Sequence, residues 1–177
     1  MYYTTTPWKG CDLALKAFSI AAKKIPNLRL VAFGSGDTPP PYLPLTPGTE
    51  YNMAPTQDQL KKFYSKCDAW LFSSSSEGFG LPILEAMACG TPVIGTPAGA
   101  ARELLAGGGG ILVKPEDPED MALAIERICQ LSDAEWRAMS ESALETVINY
   151  TWEDATDLFE AALYTARESQ AQLAHKA

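Results

Sequence analysis

Asp68-Ala-Trp-Leu-Phe-Ser73 runs into Ser74-Ser-Ser76 and Glu77-Gly-Phe-Gly80, and these into Leu81-Pro-Ile-Leu-Glu-Ala-Met-Ala-Cys89. The first stretch is the short apolar run of a buried strand; the last reads as a helix over Pro82 to Cys89. Between them lie small residues, one aromatic and one carboxylate. A strand handing over to a Gly-rich loop and then a helix is the building unit of open parallel sheets. In such sheets ligands bind outside the carboxyl ends of the strands.

The same alternation continues on both sides. Downstream, Gly90-Thr-Pro92 leads to the strand Val93-Ile94-Gly95, then a short helix near Ala101 to Leu105. Four glycines, Gly107 to Gly110, mark a turn before the strand Gly110-Ile-Leu-Val113. Upstream, Leu13, Ala14, Ala17, Phe18, Ala21 and Ile25 recur at helical spacing until Pro26-Asn27. Leu28 to Phe33 reads as a strand ending at Gly34-Ser-Gly36. Residues 37–48 contain five prolines and read as an exposed loop. Thr56 and Gln59 form a capping box for a helix to about Ser65. The last third is helical: about Asp117 to Leu131, then Ser132 to Ile148 capped by Ser132 and Glu135, then Trp152 onward capped by Thr151. This pattern predicts one α/β domain over 1–168, a Rossmann-like doubly wound parallel sheet with helices on both faces and right-handed crossovers. The segment 169–177 is expected to fray.

Composition narrows the class. Of 177 residues 46% are hydrophobic and 20% charged, ordinary for a globular domain with one core. No apolar run reaches the length of about 18 residues that a spanning helix needs, and the N-terminus lacks the pattern of a secretory signal. A cytoplasmic protein is expected. The net charge of −8 argues against nucleic acid or an anionic membrane as partner. Residues 1–50 carry +2 and the remainder −10, so a phosphate-binding cation is expected near the N-terminus. Cys11, Cys67, Cys89 and Cys129 are far apart, without a CxxC pair or companion histidine; they read as unpaired thiols in small core positions, and no metal site is expected.

The loop after the third strand carries the candidate chemistry. Its small residues admit a ligand to the backbone. N–H groups of Phe79, Gly80 and Leu81 at the helix start offer donors to an anion, and the helix dipole adds about 0.3 to 2 kcal/mol. Glu85 follows Glu77 by eight residues. A carboxylate on the first turns of the helix can accept both hydroxyls of a ribose; one in the preceding loop can reach a sugar beyond the phosphates. A Gly-rich loop followed by a helix with a surface glutamate would show the same spacing. Glu103 either orients the Gly99 loop toward the ligand or is an ordinary first-turn carboxylate. Trp70 and Phe72 read as core, and His175, in a polar tail, as inert.

Several motifs together resemble the C-terminal domain of retaining glycosyltransferases of family 4, or group 1. They are Lys9-Gly10, Gly34-Ser-Gly36, the block from Glu77 through Glu85 to Val93, Gly99-Ala-Ala-Arg-Glu103, Gly110-Ile-Leu-Val113 and Thr151-Trp152. The resemblance runs from about residue 7 to 165. It implies a GT-B enzyme, in which two Rossmann-like domains face each other and the second holds a nucleotide-diphosphate sugar. By position, Glu85 would bind the ribose, Gly78 through Leu81 the phosphates and sugar, Glu77 the transferred sugar, and Lys9 the leaving diphosphate. Met53, with Asn52, would lie near the nucleobase. No cofactor or metal is implied.

Two departures stand out. The family usually carries an arginine a few residues before the lysine, and Tyr3 to Thr6 offer none. The acceptor-binding N-terminal domain is expected to be absent from this chain, whether excised, separately encoded or lost, which would leave the donor half inactive alone. The competing readings are a free-standing nucleotide-sugar sensor and a related GT-B epimerisation, for which acid and base residues are wanting. An apolar face on the last helix, uncovered, would favour a homodimer.

Overall fold

The computed structural model describes residues 1–35, 39–148 and 150–174, with helix side chains as far as 167. Gly36 and His175 lie outside the described residues. The chain forms two compact units, Met1–Thr146 and Val147–Ala177.

The first unit holds the parallel strands β1 (Val31–Gly34), β2 (Glu50–Met53), β3 (Trp70–Phe72), β4 (Val93–Gly95) and β5 (Gly110–Leu112). β1 pairs with β2, and the others form a sheet in the order β3-β4-β5, with Trp70 opposite Val93 and Val93 opposite Gly110. The connecting helices are α1 (Cys11–Ala22), α2 (Gln57–Tyr64), α3 (Leu81–Ala88), α4 (Ala101–Leu105), α5 (Pro118–Gln130) and α6 (Asp133–Val147). Side chains alternate across a strand. Leu71 and Ile94 therefore join the cluster formed by α1 and α5, in which Leu13, Ala17, Phe18, Met121, Ile125 and Ile128 are buried. Trp70 and Phe72 point the other way and are likewise buried, as expected of core residues. The helices thus cover both faces of a parallel α/β sheet.

An aromatic cluster joins the two sheets. Phe33 of β1 stacks on Trp70 of β3 with centroids 5.4 Å apart, and Tyr64, at the end of α2, meets Trp70 edge-on at 4.8 Å. The predicted caps are present. Gln59 N donates to Thr56 Oγ1 while Thr56 N donates to Gln59 Oε1, and Ser132 and Glu135 make the equivalent exchange before α6.

The structure differs from the sequence reading in several places. α1 ends at Ala22, where Lys23 and Lys24 N–H groups turn back onto the Ile20 and Ala21 carbonyls. β1 begins at Val31 and not Leu28. β2 was not anticipated: Glu50-Tyr-Asn-Met53 lacks an apolar run and is extended through pairing with β1. Met1 and Tyr3 are buried, with Tyr3 N donating to Phe33 O at 2.7 Å and Phe33 N to Met1 O at 3.2 Å. Three threonines after Tyr3 hide this strand-like stretch from a periodicity argument. All four cysteines are free, but only Cys11 is a core residue: Cys67 and Cys89 are half-buried and Cys129 is exposed on α5. Burial raises each thiol above its ordinary pKa, so none is poised as a thiolate.

The second unit is built on α7 (Trp152–Ala174), capped where Asp154 N donates to Thr151 Oγ1 at 3.0 Å. Trp152, Leu158, Phe159, Leu163 and Tyr164 are exposed on it.

Ile83, fully buried on α3, anchors that helix against the sheet. Ile83→Ala is expected to cost about 2 to 5 kcal/mol, read as a lower urea midpoint with an unchanged slope. A loss under about 1 kcal/mol would mean that α3 is not held by this contact.

Candidate ligand site at the strand ends

The site grows from a short turn. Pro7–Lys9 form one 3-10 turn, and Gly10 follows at φ 62°. A Cβ at Gly10 would run into the Ser73 carbonyl as well as being strained at that φ. Ser75 N donates to Trp8 O at 2.8 Å, and Ser73 Oγ to Lys9 O at 3.0 Å. The backbone of Lys9 is thereby fixed against the carboxyl end of β3.

Its side chain meets Glu77. Lys9 Nζ lies 2.6 Å from Glu77 Oε1, and Ser74 Oγ donates to the same oxygen at 2.7 Å. Ser74 is held in turn, because its carbonyl accepts from Thr96 Oγ1, which follows β4. Glu77 is 12% exposed at its side chain and Lys9 28%, so the pair is shielded from bulk water but open on one side. Each charge depends on the other: removing one partner of such a pair leaves the second desolvated and uncompensated.

The loop carrying Glu77 is also gripped from the next strand. Ala100 N donates to Phe79 O at 2.8 Å. Gly99, at φ 56°, leaves no room for a side chain against the Phe79 carbonyl and the Glu77 Cβ. Phe79 and Leu81 flank the start of α3 with exposed side chains, and Gly78 has open space around it. Further along α3, Glu85 Oε2 accepts a 2.8 Å hydrogen bond from the Tyr64 hydroxyl.

Lys9, Glu77 and the Gly78 to Leu81 loop therefore come together, with Glu85 farther along the same helix. Met53 ends β2 in register with Gly34 and is exposed; the Asn52 amide donates to Glu50 Oε1 at 3.2 Å. Glu103 sits in the first turn of α4, the helix that begins just after the Gly99 loop. Sequence reasoning missed Ser73, Ser74 and Tyr64. The serine run offered a signal, since Ser74 stands three residues before Glu77; Tyr64 offered none beyond its place at a helix end.

A cavity of about 20 Å3 lined by Lys9, Trp70, Ser74, Glu77 and Pro82 adjoins the ion pair, room for about one water. Trp70 Nε1 has no hydrogen-bond partner among the described residues. A larger cavity, about 300 Å3, is lined by Gly10, Asp12, Lys16, Ser73, Thr96 and Glu116. Volume alone favours the second; the paired charges and the helix start lie at the first.

The geometry is that of a parallel α/β domain with its candidate ligand site at the carboxyl ends of the strands. The sequence profile of the glycosyl transferases group 1 family matches residues 1–145, and the chain belongs to that family. A D-inositol 3-phosphate glycosyltransferase of Geodermatophilus obscurus is 34% identical over 119 residues, 67% of this chain and 26% of that protein. Sucrose-phosphate synthase from Thermosynechococcus elongatus superimposes with a TM-score of 0.75 at 27% identity, over 96% of this chain and 45% of that one. Anabaena HepE, solved in complex with UDP-glucose, gives a TM-score of 0.75 at 21% identity, covering 93% of this chain and 48% of its own. The chain thus spans about a quarter of that first relative and under half of these two solved chains. Its fold is that of the C-terminal domain of GT-B glycosyltransferases.

Two glycines separate tight from loose parts of the site. Gly10→Ala is expected to lower unfolding free energy by more than about 1 kcal/mol, and Gly78→Ala to stay within about 0.5 kcal/mol. Equal effects in chemical denaturation would show that the turn at Gly10 is not pinned to β3.

Proposed function

We propose that this chain is the donor-binding half of a retaining glycosyltransferase, which holds a nucleotide-diphosphate sugar and transfers its glycosyl group to an acceptor. The observation that carries the reading is the Lys9–Glu77 pair, 2.6 Å apart at the strand ends and beside the start of α3. An ammonium has three donors, so Nζ can keep Glu77 and still reach a diphosphate oxygen. Charge developing on the departing nucleotide diphosphate would meet Lys9 and the N–H groups at the start of α3, which are already oriented. No metal ion is invoked. Glu77, steadied by Ser74, would contact the transferred sugar, and Glu85 the ribose hydroxyls.

The UDP-glucose held by the HepE structure supports a nucleotide sugar as ligand. An N-terminal acceptor domain belongs to the proposal, in the same chain or another, and the domain alone is expected to be inactive. A cytoplasmic setting fits the four free thiols, and the Geodermatophilus relative suits a bacterial one. The exposed apolar residues of α7 suit either an acceptor domain or a second copy of this chain.

Titration calorimetry with UDP, GDP and ADP, with and without their common sugars, tests the reading. One nucleotide is expected to bind selectively, and Glu85→Ala to raise its dissociation constant about 10- to 150-fold, as loss of hydrogen bonds to a charged group would. Glu77→Ala should reduce turnover of the completed enzyme more than nucleotide affinity. An unchanged dissociation constant in Glu85→Ala removes that residue from the site. Binding without transfer, even when an N-terminal domain is supplied, would favour a sensor.

A further inference from the structure

Glu85 lies half-buried in the middle of α3, and a glutamate side chain left without partners keeps the freedom of three rotatable bonds. In this structure the carboxylate is held instead. The Tyr64 hydroxyl donates to Glu85 Oε2 at 2.8 Å, from the end of α2 to the middle of α3. The tyrosine is itself fixed at both ends. Its ring is 3% exposed and packed between Phe33, at 5.9 Å, and Trp70, at 4.8 Å. Its carbonyl accepts a buried 2.7 Å hydrogen bond from Thr91 Oγ1, just before β4. Four elements thus hold this residue: α2 carries it, β1 and β3 pack on its ring, and the α3–β4 turn bonds to its carbonyl.

We propose that Tyr64 is a positioning residue for donor binding: it locks the Glu85 carboxylate toward the ribose, so that the nucleotide does not have to order that side chain itself. The inference rests on the reading of Glu85 as a ribose ligand. A carboxylate has about four lone-pair sites, and one accepted hydrogen bond leaves enough for both hydroxyls of a diol. The hydroxyl stays a donor under all ordinary conditions, since burial and then the adjacent Glu85 charge raise its pKa above that of a free tyrosine. Preorganisation of this kind improves affinity by removing an ordering cost and not by adding a contact to the ligand.

Tyr64→Phe removes the hydroxyl and keeps the ring. The decisive readout is selectivity for the ribose, measured on the full chain with UDP, GDP and ADP against their 2′,3′-dideoxy counterparts. Wild type is expected to prefer the ribonucleotide. Tyr64→Phe should weaken ribonucleotide binding about 2- to 10-fold and leave the dideoxy affinity unchanged, with the thermal midpoint as a check on folding. A merely structural role would weaken both ligands alike, and that result overturns the proposal. Ribose preference abolished by Glu85→Ala but intact in Tyr64→Phe would also overturn it, while leaving the reading of Glu85 in place. No ribose preference in wild type removes that reading and the proposal with it. Should Tyr64→Phe not fold, the Tyr64 hydroxyl proton is followed by NMR in wild type and Glu85→Ala. Its disappearance into fast exchange on loss of Glu85 supports the contact, and an unmoved resonance overturns it.

Discussion

The site depends on one piece of backbone placement, the fastening of the Pro7–Lys9 turn to the carboxyl end of β3. Two hydrogen bonds to the Trp8 and Lys9 carbonyls and the lack of space for a Cβ at Gly10 determine where the Lys9 ammonium can go. Without that fastening Lys9 would be a flexible surface cation, for which an exposed ion pair is worth little. With it, residues 68 positions apart in the chain form a shielded pair.

The remaining parts are arranged around this pair by the sheet. Ser74 reaches Glu77 because the backbone leaving β3 is caught by Thr96 from beyond β4. The Gly99 loop, leaving β4, closes on Phe79 and so limits where the start of α3 can sit. Consecutive parallel strands thus deliver their carboxyl ends to one place, and each loop constrains its neighbour. This is why the ligand site of such a domain is precise although it is made of loops.

Much of this was legible in the sequence, and the reasons are specific. The strand Trp70 to Phe72 and helix α3 announce themselves by apolar runs, and the capping boxes at Thr56 and Ser132 follow from side-chain chemistry alone. Lys9, Glu77 and Glu85 stand out by motif. What the sequence concealed depends on partners far along the chain. β2 is extended only because β1 lies beside it, and Met1 and Tyr3 are buried only because Phe33 pairs with them. Tyr64 reads as an ordinary residue at a helix end until the fold places Glu85 against its hydroxyl. Cys129 erred in the opposite direction, since an apolar helix has an outer face that spacing must assign residue by residue.

The aromatic cluster of Phe33, Tyr64 and Trp70 has a consequence for motion. Phe33 belongs to one hydrogen-bonded ladder and Trp70 to the other, with the Tyr64 ring against both. For that ring to flip, its neighbours must part, so the flip requires the two ladders to breathe relative to each other. The hydroxyl oxygen lies on the axis of that flip, so the ring can turn while its hydrogen bond to Glu85 Oε2 stays in place. Ring turnover therefore reports on the opening of the two ladders, while release of the Glu85 carboxylate reports on one hydrogen bond, and the two have separate rates.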